Sequence, residues 1–169
     1  EGVRDEGMRT YFRDWSFKHP GPTDFKRVME RESDLELDWY FRSMIHSTDA
    51  IDYAVERVVN DGDSLSVDLS RRGEFSMPQD LRITWEDGST TDVHIPLVIM
   101  RGHRPLRDGE ILASDWSWVN PSYTVKVASQ GKRASSVELD PAGLQADIDR
   151  DNNAIEFDLT QVQEANQSH

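Results

Sequence analysis

No cysteine occurs anywhere in the 169 residues of the chain. Disulfides, thiolate zinc sites and cysteine nucleophiles are thereby excluded. Positive charge is scarce as well. The 19 Lys and Arg stand against 32 Asp and Glu, for a formal net charge of −13 and a pI near 4.7. A nucleic-acid backbone or an anionic membrane surface demands a surplus of Lys and Arg, so neither is expected as a partner. Long apolar runs are missing too. The longest, Ile95-Pro96-Leu97-Val98-Ile99-Met100, is interrupted by a proline and falls far short of the ~20 residues that cross a bilayer, so no membrane insertion is expected. Val, Ile, Leu and Phe total only 38, close to the composition of chains that stay unfolded. Five Trp, four Tyr and five Met add apolar volume, and with it the expectation of an ordered domain.

Several mechanisms are excluded by missing motifs. The serine-hydrolase elbow G-x-S-x-G, the P-loop and the dinucleotide fingerprint G-x-G-x-x-G are all absent. The zinc-peptidase helix needs two His one turn apart, so that both imidazoles point at one metal. None of His19, His46, His94, His103 and His169 is followed by Glu, and no two of them are four apart. The N-terminus, Glu1-Gly2-Val3-Arg4-Asp5-Glu6, has neither the charge nor the apolar core of a signal peptide. It reads as mid-helix, and the chain is expected to be a segment of a longer polypeptide.

The first fifty residues have helical periodicity. Met8, Phe12 and Trp15 share one face. His19-Pro20-Gly21-Pro22 breaks that helix. Thr23 is the expected N-cap of a second helix carrying Phe25, Val28 and Met29. Ser33-Asp34-Leu35-Glu36 fits a capping box that would open a third, with Leu37, Tyr40, Phe41, Met44 and Ile45 on its apolar side. From about Asp49 the period drops to two. Tyr53, Val55 and Arg57 alternate with their neighbours, as do Leu65, Val67 and Leu69, with a turn at Asn60-Asp61-Gly62-Asp63 between them. Leu81, Ile83 and Trp85 precede an Asp87-Gly88 turn, and Thr91, Val93 and Ile95 return. Trp116 and Trp118 are expected on one face of a further strand. Tyr123, Val125 and Val127 follow, then Val137 and Leu139 before Asp140-Pro141. The fold class expected is α+β: a short helical segment, then an antiparallel, immunoglobulin-like β-sandwich of about seven strands.

Three constellations have chemical potential. Asp147, Asp149, Asp151, Asn153 and Asp158 are spaced like the oxygen ligands of a calcium loop. Asn152 stands where such a loop has Gly, and Arg150 adds a positive charge, so a solvated acidic turn is the preferred reading. Trp85, Trp116 and Trp118 could form a sugar-stacking platform, although large aromatics in a sandwich are more often core. His94 and His103 could ligate a metal across a loop; an exposed or hydrogen-bonded role outweighs it. Asn166-Gln167-Ser168 is a glycosylation sequon in a polar tail.

Residues 8–55 carry a family resemblance. Met8-Arg9-Thr10-Tyr11-Phe12, Trp15-Ser16-Phe17-Lys18-His19-Pro20, Thr23-Asp24-Phe25 and Leu37-Asp38-Trp39-Tyr40-Phe41 occur in that order. The order resembles the segment after the catalytic helices of aminopeptidase N-like zinc metallopeptidases, the membrane alanyl aminopeptidase family. Ile51-Asp52-Tyr53-Ala54-Val55, Pro96-Leu97, Trp116-Ser117-Trp118-Val119-Asn120-Pro121 and Asp147-Ile148-Asp149-Arg150 resemble the shorter bacterial members. The resemblance implies that residues 1–48 are the helical end of a thermolysin-like catalytic domain, 49–158 a β-sandwich and 159–169 a polar tail. It also implies that the zinc, its ligands and the catalytic residues lie in a preceding catalytic domain of the same polypeptide. No catalytic, cofactor-binding or metal residue is then expected in this chain, and an extracytoplasmic location goes with the family. The expected function is a non-catalytic C-terminal module that supports the catalytic domain and shapes substrate approach. The alternative is an independent carbohydrate- or calcium-binding module.

Overall fold

A computed structural model describes residues 2–157. Three helices come first: α1 Gly2–Trp15, α2 Pro22–Ser33 and α3 Asp38–His46. Eight strands follow among the described residues: β1 Tyr53–Asp61, β2 Ser64–Arg71, β3 Gln79–Trp85, β4 Thr90–Ile95, β5 Ile111–Leu112, β6 Ser122–Ala128, β7 Ala134–Leu139 and β8 Ala154–Glu156. The first sheet has the order β1-β2-β6, the second β5-β4-β3-β7-β8. All pairs are antiparallel except β4 with β5. The polar tail expected at 159–169 and Asp158 lie outside the described residues.

Alternation decides what each strand buries. Leu65, Val67 and Leu69 of β2 face inward with Val125 and Val127 of β6. From the other sheet come Leu81, Ile83, Trp85, Val93, Ile95, Val137 and Leu139. These residues form a single buried cluster, so both sheets share one core. Gly62 and Gly88 close the β1–β2 and β3–β4 hairpins with φ of 57° and 78°, which glycine adopts without a Cβ penalty.

Some expected details are corrected. A bulge between Val55 and Arg57 shifts the register of β1, so Val58 pairs with Val67 and packs on the core in place of Arg57. Trp116 forms only an isolated bridge with Leu97, and Trp118 sits in the turn that follows. Ser33 ends α2 rather than capping α3: its hydroxyl bonds back to Met29 O at 2.7 Å, and Asp34 terminates the helix in a left-handed conformation. The N-cap of α2 is Gly21, two residues before Thr23, with Pro22 in the first turn and the Asp24 carboxylate accepting the Gly21 N–H at 2.9 Å. Strands β5 and β8 are too short for a two-residue period to register.

The helices rest on the sheets at one place. Leu35, Trp39 and Tyr40 pack against the buried cluster, and Phe75 meets the Trp39 and Tyr40 rings at centroid distances of 6.5 and 5.8 Å. Glu36 N–H donates to Met100 O at 3.1 Å. Near this junction the backbone of Ala50–Asp52 crosses Gly73 so closely that a Cβ there would lie 2.1 Å from Ala50 O.

Candidate functional site

The first candidate is the helical surface. Helix α1 crosses α2 at Gly7, whose missing side chain lets Met29 come close, and at Thr10, which is buried. Tyr11 meets Phe25 edge-on at 5.0 Å. These contacts use a face of α1 neighbouring the Met8–Phe12 stripe. That stripe therefore points outward: Met8 is 48% exposed and Phe12 76%. Phe17, Met44 and Ile45 are exposed as well. Across all three helices, Val28 is the one fully buried hydrophobic residue among the described positions. The period-3.6 pattern identified apolar residues correctly but could not tell which of two adjacent faces would meet α2.

The second candidate is a charged cluster on the outer face of the second sheet. Asp80 of β3 stands opposite His94 of β4 in the strand register. Since Leu81, Val93 and Ile95 face the core, Asp80 and His94 face away from it. A loop over 101–110 covers them. Arg104 donates to Asp80 Oδ1 at 2.8 Å and to Glu110 Oε2 at 2.7 Å. Arg107 reaches Asp80 Oδ2 at 3.3 Å, and its N–H donates to Glu110 Oε2 at 2.8 Å. The Glu110 side chain is 1% exposed. Burial alone would raise the Asp80 pKa. The hydrogen bonds from His94 and Arg104, with their charges, outweigh it and hold that carboxyl down at about 2. The Arg104 hydrogen bond likewise holds Glu110 below its ordinary value, against the effect of burial. This cluster pins a loop to a sheet. It offers no nucleophile pair, because neither His94 nor His103 bonds a Ser or Thr hydroxyl.

The chain matches no protein-family model, and no curated protein matches it significantly. Function therefore rests on the residues themselves.

The calcium-loop residues are engaged locally. Asp147 accepts the Tyr53 N–H at 3.0 Å and the Asp149 N–H at 2.9 Å. Arg150–Asn152 forms a short 3-10 turn, and Arg150 bonds Asp140 at 3.1 Å. Asp147, Asp149 and Asp151 do not converge as a group of three ligands. Among the described residues the convergent acidic group is Glu30, Glu36 and Asp38. The Lys26 ammonium bridges Glu30 and Asp38, and the Leu37 and Asp38 N–H groups take carboxylate oxygens of Glu30 and Glu36. That trio is already engaged by its own lysine and by backbone amides at the start of α3.

The three-tryptophan platform is not assembled. Trp85 and Trp116 are buried, with indole N–H groups bonded to Thr91 at 2.9 Å and Asn120 O at 2.8 Å. Trp118 alone is exposed. It lines a groove of about 510 Å³ with Trp39, Ile99, Arg42, Arg101 and Glu74. Sequence reading missed that groove, because its walls come from α3, the loop before β3, the turn at 98–101 and the Trp118 turn, far apart in the chain. The Asp80–Arg104–Glu110 cluster was missed as well. Asp80 occupies an outward position of a strand that reads as ordinary alternation.

Proposed function

We propose that this chain is a non-catalytic module of an aminopeptidase N-like zinc metallopeptidase, docked on the catalytic domain of the same polypeptide. The observation that carries the reading is the outward apolar surface of the helices, with Met8, Phe12, Phe17, Met44 and Ile45 uncovered. A fully exposed side chain of this kind forgoes roughly 1.5–3 kcal/mol of burial. An apolar face of several such residues commonly marks an interface. The identity of the partner comes from the ordered motifs over residues 8–55. In this reading the two sheets are an immunoglobulin-like sandwich, the zinc is held by the catalytic domain, and the protein works outside the cytoplasm. The module itself supports that domain and borders the path of the peptide substrate.

The test is a protein extended at its N-terminus by the residues that precede Glu1 in its reading frame. The extended protein is expected to hold one zinc, to hydrolyse an aminoacyl nitroanilide, and to exchange amide hydrogens over residues 8–15 and 41–46 more slowly than the 169-residue chain. An extended protein without zinc or activity overturns the peptidase identity. An active one whose helices exchange as fast as before overturns the docking face.

A further inference from the structure

Two imidazoles away from the helical face are prepared in the same way. The His94 side chain is 3% exposed, and its Nδ1 lies 2.7 Å from Asp80 Oδ1. An ionised carboxylate only accepts, so Nδ1 bears a proton and Nε2 is the nitrogen that can offer a lone pair. That Nε2 is buried and has no hydrogen-bond partner. A buried polar atom left unpaired is uncommon in folded proteins and calls for a reason. His103, on the covering loop, has Nδ1 2.7 Å from the Arg104 carbonyl oxygen. A carbonyl also only accepts, so the His103 lone pair is on Nε2 as well. The two rings lie 6.5 Å apart between centroids, inclined at 62°. Histidine ligands are typically held in this manner, with the far nitrogen donating to a carboxylate or a backbone carbonyl.

We propose that His94 and His103 form a two-imidazole site, through their Nε2 atoms, for a borderline divalent transition-metal ion of the zinc, nickel or copper class. An ion bound at about 2.0–2.1 Å lies roughly 3.2 Å from the centre of its imidazole ring. Two rings on one ion are then about 6.4 Å apart if opposed and about 5.2 Å apart at a tetrahedral angle. The observed 6.5 Å requires the rings to close by about 1.3 Å for tetrahedral binding. His103 is exposed on a loop, and closing the gap requires its ring to shift against the Arg104 carbonyl contact. Water would complete the coordination, since Glu110 is already taken by Arg104 and Arg107. Asp80 and Glu110 balance Arg104 and Arg107 in charge, so nothing nearby adds net attraction for a cation. The site is accordingly an exchangeable one, separate from any catalytic zinc and independent of the docking reading. Calcium and magnesium, which take oxygen ligands, do not fit it.

The test is calorimetric titration of the 169-residue chain with zinc chloride, alongside NMR of the 15N-labelled imidazoles. One zinc per chain is expected, with the Nε2 signals of His94 and His103 shifting together. His103→Gln, at an exposed position, should weaken binding at least tenfold, and Asp80→Asn about tenfold by freeing the His94 ring. His19→Gln and His46→Gln should leave it unchanged. Zinc binding unaffected by His103→Gln overturns the proposal, as do His94 and His103 signals that stay fixed at millimolar zinc.

Discussion

Asp80 and His94 face each other across the β3–β4 pair, with Asp80 Oδ1 2.7 Å from His94 Nδ1, and Arg104 completes the contact from the covering loop at 2.8 Å. One carboxylate thus ties a hairpin to the covering loop.

Acid should release that tie. The Asp80 carboxyl is depressed from 3.8 to about 2. A depressed carboxyl contributes stability that is fully present above its unfolded pKa and is lost as pH falls through the folded one. The window is therefore from about pH 4 down to about pH 2. The shift corresponds to about 2–3 kcal/mol. Urea denaturation at stepped pH should show Asp80→Asn losing less stability than the parent chain across that window, by about 2 kcal/mol. Parallel profiles for the two proteins would refute the assignment.

Arg104 should matter more than an ordinary surface arginine. Its removal leaves the buried Glu110 carboxylate with only the Arg107 contacts. Breaking a buried pair from one side costs about 3–5 kcal/mol. Arg104→Ala should therefore lower the unfolding free energy by about 3 kcal/mol, or the midpoint by roughly 6–12 °C. The double change Arg104→Ala with Glu110→Gln should recover much of the loss, because the buried Glu110 charge is then gone and Asp80 keeps His94 and Arg107. An additive double variant would show that the pair is not the source.

Gly73 should tolerate no side chain. A Cβ there would sit 2.1 Å from Ala50 O, a backbone atom that cannot rotate away. Gly73→Ala should cost about 3 kcal/mol or more, at or beyond the upper end of overpacking penalties. Gly88→Ala meets nothing within 4 Å and is penalised only for its positive φ, by about 1–2 kcal/mol. Thermal melts that rank the two in the opposite order would contradict the crossing.

Calcium should leave stability nearly unchanged. Asp147 is occupied by the Tyr53 and Asp149 amides, and Arg150 by Asp140. A true site at a hundredfold excess of ion would add about 2.7 kcal/mol. Millimolar calcium and magnesium are instead expected to give equal, small changes in Tm. A calcium-specific rise of about 5 °C or more, abolished by Asp149→Ala, would restore the metal-loop reading.

Local features of this fold were legible in the sequence and convergent ones were not. The β1–β2 and β3–β4 hairpins follow from period-two burial and glycine turns, both of which a sequence displays directly. Arg57 was misplaced because a bulge changes the phase of alternation without changing composition. Trp116 and Trp118 sit two apart and were assigned one face, yet the segment is a bridge and a turn, and one indole is buried while the other is exposed. Asp80, Arg104 and Glu110 meet only because β3, a loop and the start of β5 come together in space. No spacing rule connects them.

The β2–β6 pairing joins Ser64 to Ala128. A hairpin closes in roughly 1–10 μs, whereas a partner so distant in the chain must wait for a long loop to close. During synthesis the wait is longer still. At roughly 5–20 residues per second, β6 leaves the ribosome about 3–11 seconds after β2. Over that interval β2 has one unpaired edge, and Leu65, Val67 and Leu69 lack the β6 half of their cover. The nascent chain is therefore most vulnerable to intermolecular strand pairing before Tyr123–Val127 emerges, and a chaperone that shields this protein would act in those seconds.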